Sequence, residues 1–558
     1  MQIIIPMSGF GERFRRAGYA VPKPLIEVEG KPIVAHVTDM FPGETDFIFI
    51  CNQDHLDNPD YSMASILQDL CPTGQVIGIK AHKLGPIHAV RQVEHIINPA
   101  EPVLVNYCDF TCYWDWHHFK QFVVRTECDG AIPAYKGFHP HTLGSTNYAY
   151  MREKDGWVQD IQEKQPYTDN RMEEYASSGS YYFKSGELMS DAFRETMAND
   201  INVGGEYYCS LAYKPLLSQQ RKIAVYPLQH FMQWGTPQDV AEYNGWSETF
   251  RQLVAPKAIL PEAIGSLVIP MAGLGQRFFN EGYTTTKPLI PISGKPMVTQ
   301  ATNDLPIATN HAFVLRKDMP GYEGITQELK TIYPDAVIET IANVTEGQAC
   351  TALIGLESLE QQRGNSLGPI TFGACDNGVL YDQVRLEKLL RDPDIDVIVW
   401  GVRGHANAAR HPQMFGWIDE GDGNIRQISV KQPLSNPESD PIVLGTFTFR
   451  LAEDFHHVVD RLIARDGRIN GEYYIDSCIN DAIELGLKCH FFEVDHYLSW
   501  GTPNDLRTFE YWQSCFHKWA GHPYKLNLDS RVSKQKSDSL ESSYQKTSPL
   551  APKAPSSD

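Results

Sequence analysis

The chain repeats itself. Residues 5–32 read IPMSGFGERFRRAGYAVPKPLIEVEGKP and residues 269–296 read IPMAGLGQRFFNEGYTTTKPLIPISGKP, with 16 of these 28 positions identical at an offset of 264. Four further pairs follow in the same order. Cys108-Asp109 matches Cys375-Asp376, and Lys164-Gln165-Pro166 matches Lys431-Gln432-Pro433. A Gly-Glu-Tyr-Tyr run begins at Gly205 and again at Gly471, and a Trp-Gly-Thr-Pro run begins at Trp234 and again at Trp500. The offset drifts only between 264 and 267. A period of this length is a whole domain and not a solenoid repeat. The 558 residues therefore divide into a first domain over 1–246, a linker over 247–265, a second domain over 266–526 and a tail over 527–558. The linker carries Pro256, Pro261 and Gly265. The tail is Ser-, Lys- and Pro-rich, ends SPLAPKAPSSD, and is expected to be disordered.

Within one repeat, short apolar runs alternate with helical patterns. Residues 3–6, 47–51, 76–79 and 103–107 read as buried strands, and 86–97 has apolar residues at helical spacing. Residues 147–151, 158–163 and 180–183 read as shorter strands of an added mixed sheet. The second copy repeats the strand pattern at 268–270 and 370–374. The fold class expected is α/β, with two tandem Rossmann-like domains, each a mostly parallel mixed sheet flanked by helices. Open sheets of this kind bind ligands beyond the carboxyl ends of their strands. That rule brings the loop after Pro6 and Asp109, which follows the fourth strand, to one site.

Charge narrows the partners. With 49 Lys+Arg against 69 Asp+Glu the net charge is -20, which argues against nucleic acid and anionic membranes. An anionic small molecule needs local positive charge, so a cation beside a glycine loop is informative. The 11 cysteines lack Cys-x-x-Cys spacing and read as free thiols of a reducing cytoplasm. The N-terminus reads as a strand and not as a signal peptide, and no apolar run is long enough to span a bilayer. Self-association into a homo-oligomer is compatible with the sequence.

The loop itself is Gly9-Phe10-Gly11-Glu12-Arg13-Phe14, with Lys23 ten residues beyond Arg13. Glycines let backbone N–H groups approach phosphate oxygens, and Arg13 and Lys23 would neutralise a triphosphate. Gly273, Gly275, Arg277 and Lys287 repeat the arrangement. It is not a dinucleotide fingerprint, because Phe14 and Phe278 occupy the third glycine position, and it lacks the Gly-Lys-[Ser/Thr] of a Walker loop. Asp109 and Asp376, each after an apolar strand, suit a metal ion or a helix N-cap. Thr236, Pro237 and Asp239 have the order of a helix start, repeated at Thr502, Pro503 and Asp505.

The loop, the Lys-Pro-Leu element and the following Gly-Lys-Pro resemble the opening signature of the sugar-phosphate nucleotidyltransferases, or NDP-sugar pyrophosphorylases, whose fold is GT-A-like. The resemblance covers nearly all of each repeat. It implies that Gly9 and Gly11, with Gly273 and Gly275, border base and phosphates, and that Arg13, Lys23, Arg277 and Lys287 bind the triphosphate. Gly85 and Gly347 match a glycine-initiated helix beside the base. Asp109 and Asp376 match the aspartate that holds Mg²⁺. Glu163 and Lys164 match a pair in which the acid holds the sugar and the lysine its phosphate, and Lys431 keeps the lysine behind Val430. Gly179 and Gly445 match a glycine near the sugar, and Glu206 and Glu472 a sugar-contacting acid whose aromatic neighbours read as core. Gly416 stands where the family has glycine and the first copy has Ala149. The family's second metal aspartate falls on Gln233 and Ser499, with His230 and His496 nearby as alternative ligands.

The activity implied is Mg²⁺-dependent joining of an NTP to a sugar 1-phosphate or similar phosphorylated acceptor, with release of pyrophosphate, for capsule, lipopolysaccharide or another surface polysaccharide. The rivals are one catalytic copy beside one regulatory copy, a nucleotide-sugar-dependent glycosyltransferase, and a non-enzymatic nucleotide sensor. The glycosyltransferase reading is weakened because neither Asp109-Phe-Thr111 nor Asp376-Asn-Gly378 has the Asp-x-Asp pattern.

Overall fold

Ile3, Ile4 and Ile5 are fully buried, because the strand Gln2–Met7 lies inside a sheet covered on both faces, where β-branched side chains pack on either side. The computed structural model describes residues 1–256 and 263–546. Two compact units are present, the first over Met1–Glu248 and the second over Thr249–Leu540.

The first unit holds a ten-stranded sheet. Its strands run in the order Tyr175–Ser177, Ala149–Lys154, Trp157–Glu163, Ile223–Pro227, Gly130–Tyr135, Ser180–Phe183, Val103–Asn106, Gln2–Met7, Phe47–Asn52 and Gln75–Ile79. Gln2–Met7 is parallel to both Phe47–Asn52 and Val103–Asn106. From Gln2–Met7 the chain builds outward on one side and then returns to the other. The crevice at the carboxyl ends of Gln2–Met7 and Val103–Asn106 is therefore a topological switch point, where α/β sheets take ligands.

The later strands do not form an added sheet, as their separate short runs suggest. Ser180–Phe183 lies between Val103–Asn106 and Gly130–Tyr135, antiparallel to both, and the Ala149–Lys154/Trp157–Glu163 hairpin extends the same sheet. The fully buried Ser180–Phe183 makes the sheet continuous. The helix expected over 86–97 is shorter, Pro86–Gln92, and a 3-10 turn Glu94–Ile96 completes it.

The second unit has nine strands in the corresponding order: Gly416–Gly421, Asn424–Val430, Cys489–Glu493, Val397–Val402, Ile442–Phe449, Ile370–Phe372, Ser266–Pro270, Asn310–Arg316 and Val337–Ile341. One long strand, Ile442–Phe449, takes the place of Tyr175–Ser177 and Ser180–Phe183. Its core packs Phe372, Phe447, Phe449 and Phe455 with Val268 and Leu356.

The expected boundaries shift. The helix Pro237–Val254 runs past residue 246 into the segment read as linker; residues 257–262 of that segment, with Pro261, lie outside the described residues. The tail read as disordered from 527 is ordered at its start. Leu526, Asp529, Arg531 and Val532 are buried, Arg531 Nη2 reaches Asp304 Oδ2 at 2.6 Å, and a helix follows over Ser537–Lys546. A single buried ion pair and one or two apolar anchors hold a segment too polar and too short to show periodicity. Residues 547–558 lie outside the described residues. No helix among the described residues is long and apolar enough to cross a membrane, and all 11 cysteines are free thiols.

Candidate functional site

The glycine loop closes over the switch point. Gly11 has φ 62° and caps the short helix Glu12–Arg16 in the left-handed region, as Gly275 does with φ 64° for Gln276–Asn280. This turn exposes Arg13 and Arg277 to solvent, and neither makes an ion pair with the protein among the described residues. Both are left as cations for a ligand.

Below the loop, Lys23 Nζ donates to Asp109 Oδ2 at 2.9 Å. Lys287 Nζ donates to Asp376 Oδ2 at 2.5 Å. Burial opposes the charge on Lys23, but Asp109 outweighs it and the pKa rises; Lys287 is raised in the same way by Asp376. Each aspartate is held in place by its own carbonyl, which accepts from Trp234 N at 2.7 Å and from Trp500 N at 3.0 Å.

Gly85 joins two motifs. Its φ is 85°, and a Cβ there would stand 2.6 Å from Tyr207 N and 2.7 Å from Tyr207 O. Tyr207 N donates to Leu84 O, and Ile87 N donates to Tyr207 O. Gly347 and Tyr473 repeat this contact, with a Cβ 2.4 Å from Tyr473 N. The glycine-started helix and the Gly-Glu-Tyr-Tyr run are thus one local structure in each unit.

Lys164 and Lys431 sit at strand ends with φ 58° and 61°, left-handed values that cost a non-glycine residue about 1 kcal/mol or more. Lys164 N donates to Tyr148 O at 2.8 Å, and Lys431 N to Phe415 O at 3.0 Å. Lys164 Nζ donates to Tyr208 Oη at 2.6 Å, and the Tyr208 hydroxyl in turn donates to Glu206. Tyr208 is therefore not a core residue, contrary to the sequence expectation; it lines the cavity and ties Lys164 to Glu206. Lys431 lies over the Tyr474 ring at 5.5 Å and donates to Met414 O at 2.5 Å.

Burial raises the Glu163 pKa to about 7, against the hydrogen bond that Ser210 Oγ gives it at 2.6 Å. Ser210 was not foreseen, since hydroxyl residues near aromatic runs carry no pattern of their own.

These groups enclose one cavity of about 600 Å³ in the first unit. Gly9, Gly11, Arg13, Lys23, Gly85, Asp109, Glu163, Lys164, Gly179 and Glu206 all line it. So do Tyr107, Tyr208, Gln233 and Asp239, which sequence reasoning did not assign to a ligand site. His55 and His82 also border it; His55 Nδ1 and His82 Nε2 are buried without hydrogen-bond partners among the described residues.

In the second unit, Arg277 lies close enough to Lys431 and Tyr474 to bear on their charge, and Glu472 hydrogen-bonds Tyr474. Gly445 interrupts the strand Ile442–Phe449 with φ 72°.

The Trp-Gly-Thr-Pro runs start helices. Asp239 N donates to Thr236 Oγ1 at 3.1 Å and Thr236 N to Asp239 Oδ2 at 2.8 Å, a reciprocal cap. Thr502 accepts from Asp505 N likewise. Asp239 has a second aspect. A Cβ on Gly235 would lie 3.4 Å from Asp109 Oδ2 and 3.8 Å from Asp239 Oδ2, so both carboxylates face one point. Gln233 Nε2 donates to Asp239 Oδ1 at 2.5 Å, and burial raises the Asp239 pKa to about 6. In the second unit Asp505 accepts instead from Asn407 at 2.5 Å, and Ser499, not an acid, borders Gly501 beside Asp376. His230 and Met232 alternate with the cavity-lining Phe231 and Gln233 along the strand His230–Gln233, which turns His230 away from the cavity and toward Tyr113.

Residues 2–206 match the nucleotidyl transferase family. Several solved structures are similar. A nucleoside-diphosphate-sugar pyrophosphorylase from Vibrio cholerae RC9 is 23% identical, with 44% of this chain covering 98% of that one and a TM-score of 0.37. An inositol-1-phosphate CTP transferase from T. maritima is 12% identical, with 47% of this chain covering 100% of that one and a TM-score of 0.36. A UDP-glucose pyrophosphorylase complexed with UDP-glucose is 15% identical, with 45% of this chain covering 98% of that one and a TM-score of 0.36.

Proposed function

We propose that this chain, whose residues 2–206 belong to the nucleotidyl transferase family, joins a nucleoside triphosphate to a sugar 1-phosphate and releases pyrophosphate. The observation that carries the reading is one cavity with two cationic ends. Arg13 and Lys23 stand at the glycine-loop end, and Lys164, with Glu163, Glu206 and Tyr208, stands at the other. The first end suits a triphosphate and the second a phosphorylated sugar.

In the reaction a phosphate oxygen of the acceptor forms a bond to the α-phosphorus. The bond from that phosphorus to the bridging oxygen breaks, and its electron pair leaves on pyrophosphate. The acceptor phosphate is largely ionised near neutral pH, so no side chain must remove a proton. Positioning and charge neutralisation supply most of the rate in such transfers. Arg13 and Lys23 hold the triphosphate and spread the charge that builds on the leaving group. Lys164, fixed by its left-handed backbone and by Tyr208, orients the incoming phosphate. Glu206 and Glu163 accept hydrogen bonds from sugar hydroxyls. Arg277, Lys287, Lys431 and Glu472 take these roles in the second unit.

The cradle beside Gly235 fits a hard divalent cation such as Mg²⁺, which Asp109 and Asp239 would hold; Asp376 is the counterpart of Asp109. Among the described residues no group of three or more His, Cys, Asp or Glu is placed to hold a metal. That agrees with an ion bound by one or two carboxylates and completed by substrate phosphates. Such an ion supplies charge neutralisation at the phosphates. A product destined for surface polysaccharide follows from the family reading.

The test is direct. Purified full-length chain is offered a matrix of NTPs and sugar 1-phosphates with Mg²⁺, and pyrophosphate is measured. Release with at least one pair is expected; no release with any pair overturns the proposal.

A further inference from the structure

We infer that Asp476 is the acceptor-binding carboxylate of the second unit, replacing from a helix the acid that Glu163 supplies from a strand in the first. The inference rests on the reading above, in which each unit takes a phosphorylated sugar beside its strand-end lysine.

Three positions change together between the units, and the structure brings them into contact. In the first unit Ala149 is the cross-strand partner of Glu163, and Ser210 donates to the Glu163 carboxylate. In the second unit the same cross-strand pair is Gly416 and Val430. The position of Ser210, four residues beyond the glutamate of Gly-Glu-Tyr-Tyr, is Asp476. A Cβ at Gly416 would stand 2.2 Å from Asp476 Oδ2. An alanine in the manner of Ala149 would collide with the carboxylate.

Each trio thus holds one acid: Ala149, Glu163 and Ser210 against Gly416, Val430 and Asp476. Val430 is not the loss of a sugar-binding group. The carboxylate has moved to the opposite element, and the strand has given up a methyl group to admit it.

The electrostatic setting has moved with it. Lys164 favours the charged form of Glu163 and Lys431 that of Asp476, while burial raises both, Asp476 to about 6. Arg277 and Glu472 also face Lys431. Glu163 has Ser210 as a hydrogen-bond donor, whereas no side chain among the described residues donates to Asp476. A partly buried carboxylate without donors is costly unless something supplies them. The hydroxyl groups of a sugar do so, and they meet Asp476 from the helix side where Glu163 would meet them from the strand side. The two units therefore select different sugars on a common phosphate anchor. A merely helix-starting acid at the first turn of Ile475–Glu484 would require no room at Gly416.

The experiment uses the full chain with Lys23→Ala and Lys164→Ala, which disable the first unit. Glucose, galactose, mannose and fucose 1-phosphates, and inorganic phosphate as reference, are titrated calorimetrically. Asp476→Asn is expected to weaken the best hexose 1-phosphate by about tenfold or more and to leave inorganic phosphate unchanged. The triple variant Gly416→Ala/Val430→Glu/Asp476→Ser is expected to regain hexose phosphate binding with a changed order of preference. Unchanged hexose phosphate affinity in Asp476→Asn overturns the inference. So does equal weakening of inorganic phosphate, or failure of every hexose phosphate to bind. Pyrophosphate release by the parent chain is measured separately, so an active parent with an indifferent Asp476→Asn sinks this inference alone. Thermal unfolding checks the geometry: Gly416→Ala lowers the melting temperature, and adding Asp476→Ser restores it.

Discussion

Lys23 donates to Asp109 across 2.9 Å, joining residues 86 positions apart, and Lys287 makes the same bond to Asp376. The proposed triphosphate cation and the proposed metal carboxylate are thus each other's partners in both units. A triphosphate entering between them must exchange that bond for its own contacts, which couples nucleotide binding to release of the carboxylate.

Lys23→Ala and Asp109→Asn should each reduce pyrophosphate release attributable to the first unit by about 10²-fold or more. Combined, they should cost much less than the product of the single effects, since each removes the same bond. The check is steady-state pyrophosphate release in the parent, both single variants and the double variant. Additive losses would contradict a shared role.

Asp239→Asn should weaken divalent cation binding about tenfold, with Mn²⁺ titration followed by electron paramagnetic resonance as the readout. Thr236→Val, which removes the other half of the reciprocal cap, should lower the melting temperature and leave Mn²⁺ affinity near that of the parent. Equal Mn²⁺ binding in Asp239→Asn and the parent would return Asp239 to a purely structural role.

Gly85→Ala meets both a left-handed φ and the Tyr207 backbone. Backbone atoms cannot step aside as a side-chain tip can, so a loss of about 2–4 kcal/mol is expected in urea unfolding. Gly9→Ala, which meets nothing within 4 Å, is the control for stability.

Burial lifts the Glu163 pKa from 4.5 to about 7, so the folded chain holds this proton more tightly than the unfolded chain. The stability this provides is present below pH about 4.5 and is lost as pH rises through about 7. Glu163→Gln should match the parent melting temperature near pH 4.5 and exceed it by roughly 2–4 °C at pH 8. A constant difference across this range would show that burial does not act on Glu163.

Tyr208→Phe removes the hydroxyl that accepts from Lys164 and donates to Glu206. The KM for the sugar phosphate should rise several-fold while that for the NTP stays constant, because only the acceptor end of the cavity loses order.

The parts of the site that can be read from sequence are those carried by motif and period. Gly9, Gly11, Arg13, Lys23 and Asp109 follow from a loop and a strand end, and the α/β order brings them together. Tyr208, Ser210 and Asp239 escape such reading for separate reasons. An aromatic residue in a Tyr-Tyr run looks like core until its hydroxyl is seen between two charges. Ser210 acts only through Glu163, 47 positions away. Asp239 meets the rule for a helix start, and nothing local says that it also faces Asp109. The ordered start of the C-terminal segment escapes for a similar reason: Arg531 is held by Asp304, 227 positions away. Contacts across such separations leave no periodic trace.

The left-handed lysines have a consequence for how such a site can change. Lys164 and Lys431 hold nearly the same backbone angle, and each is pinned through its own N–H to the neighbouring strand. Neither attachment involves the side chains at 149, 163 and 210 or at 416, 430 and 476. A duplicated gene could therefore rewrite those three positions freely while the phosphate stayed where it was. A combinatorial library confined to 149, 163 and 210 should yield folded chains that differ in sugar preference and share one phosphate affinity. In this sense the strained lysine acts as a fixed origin from which new specificities are measured out.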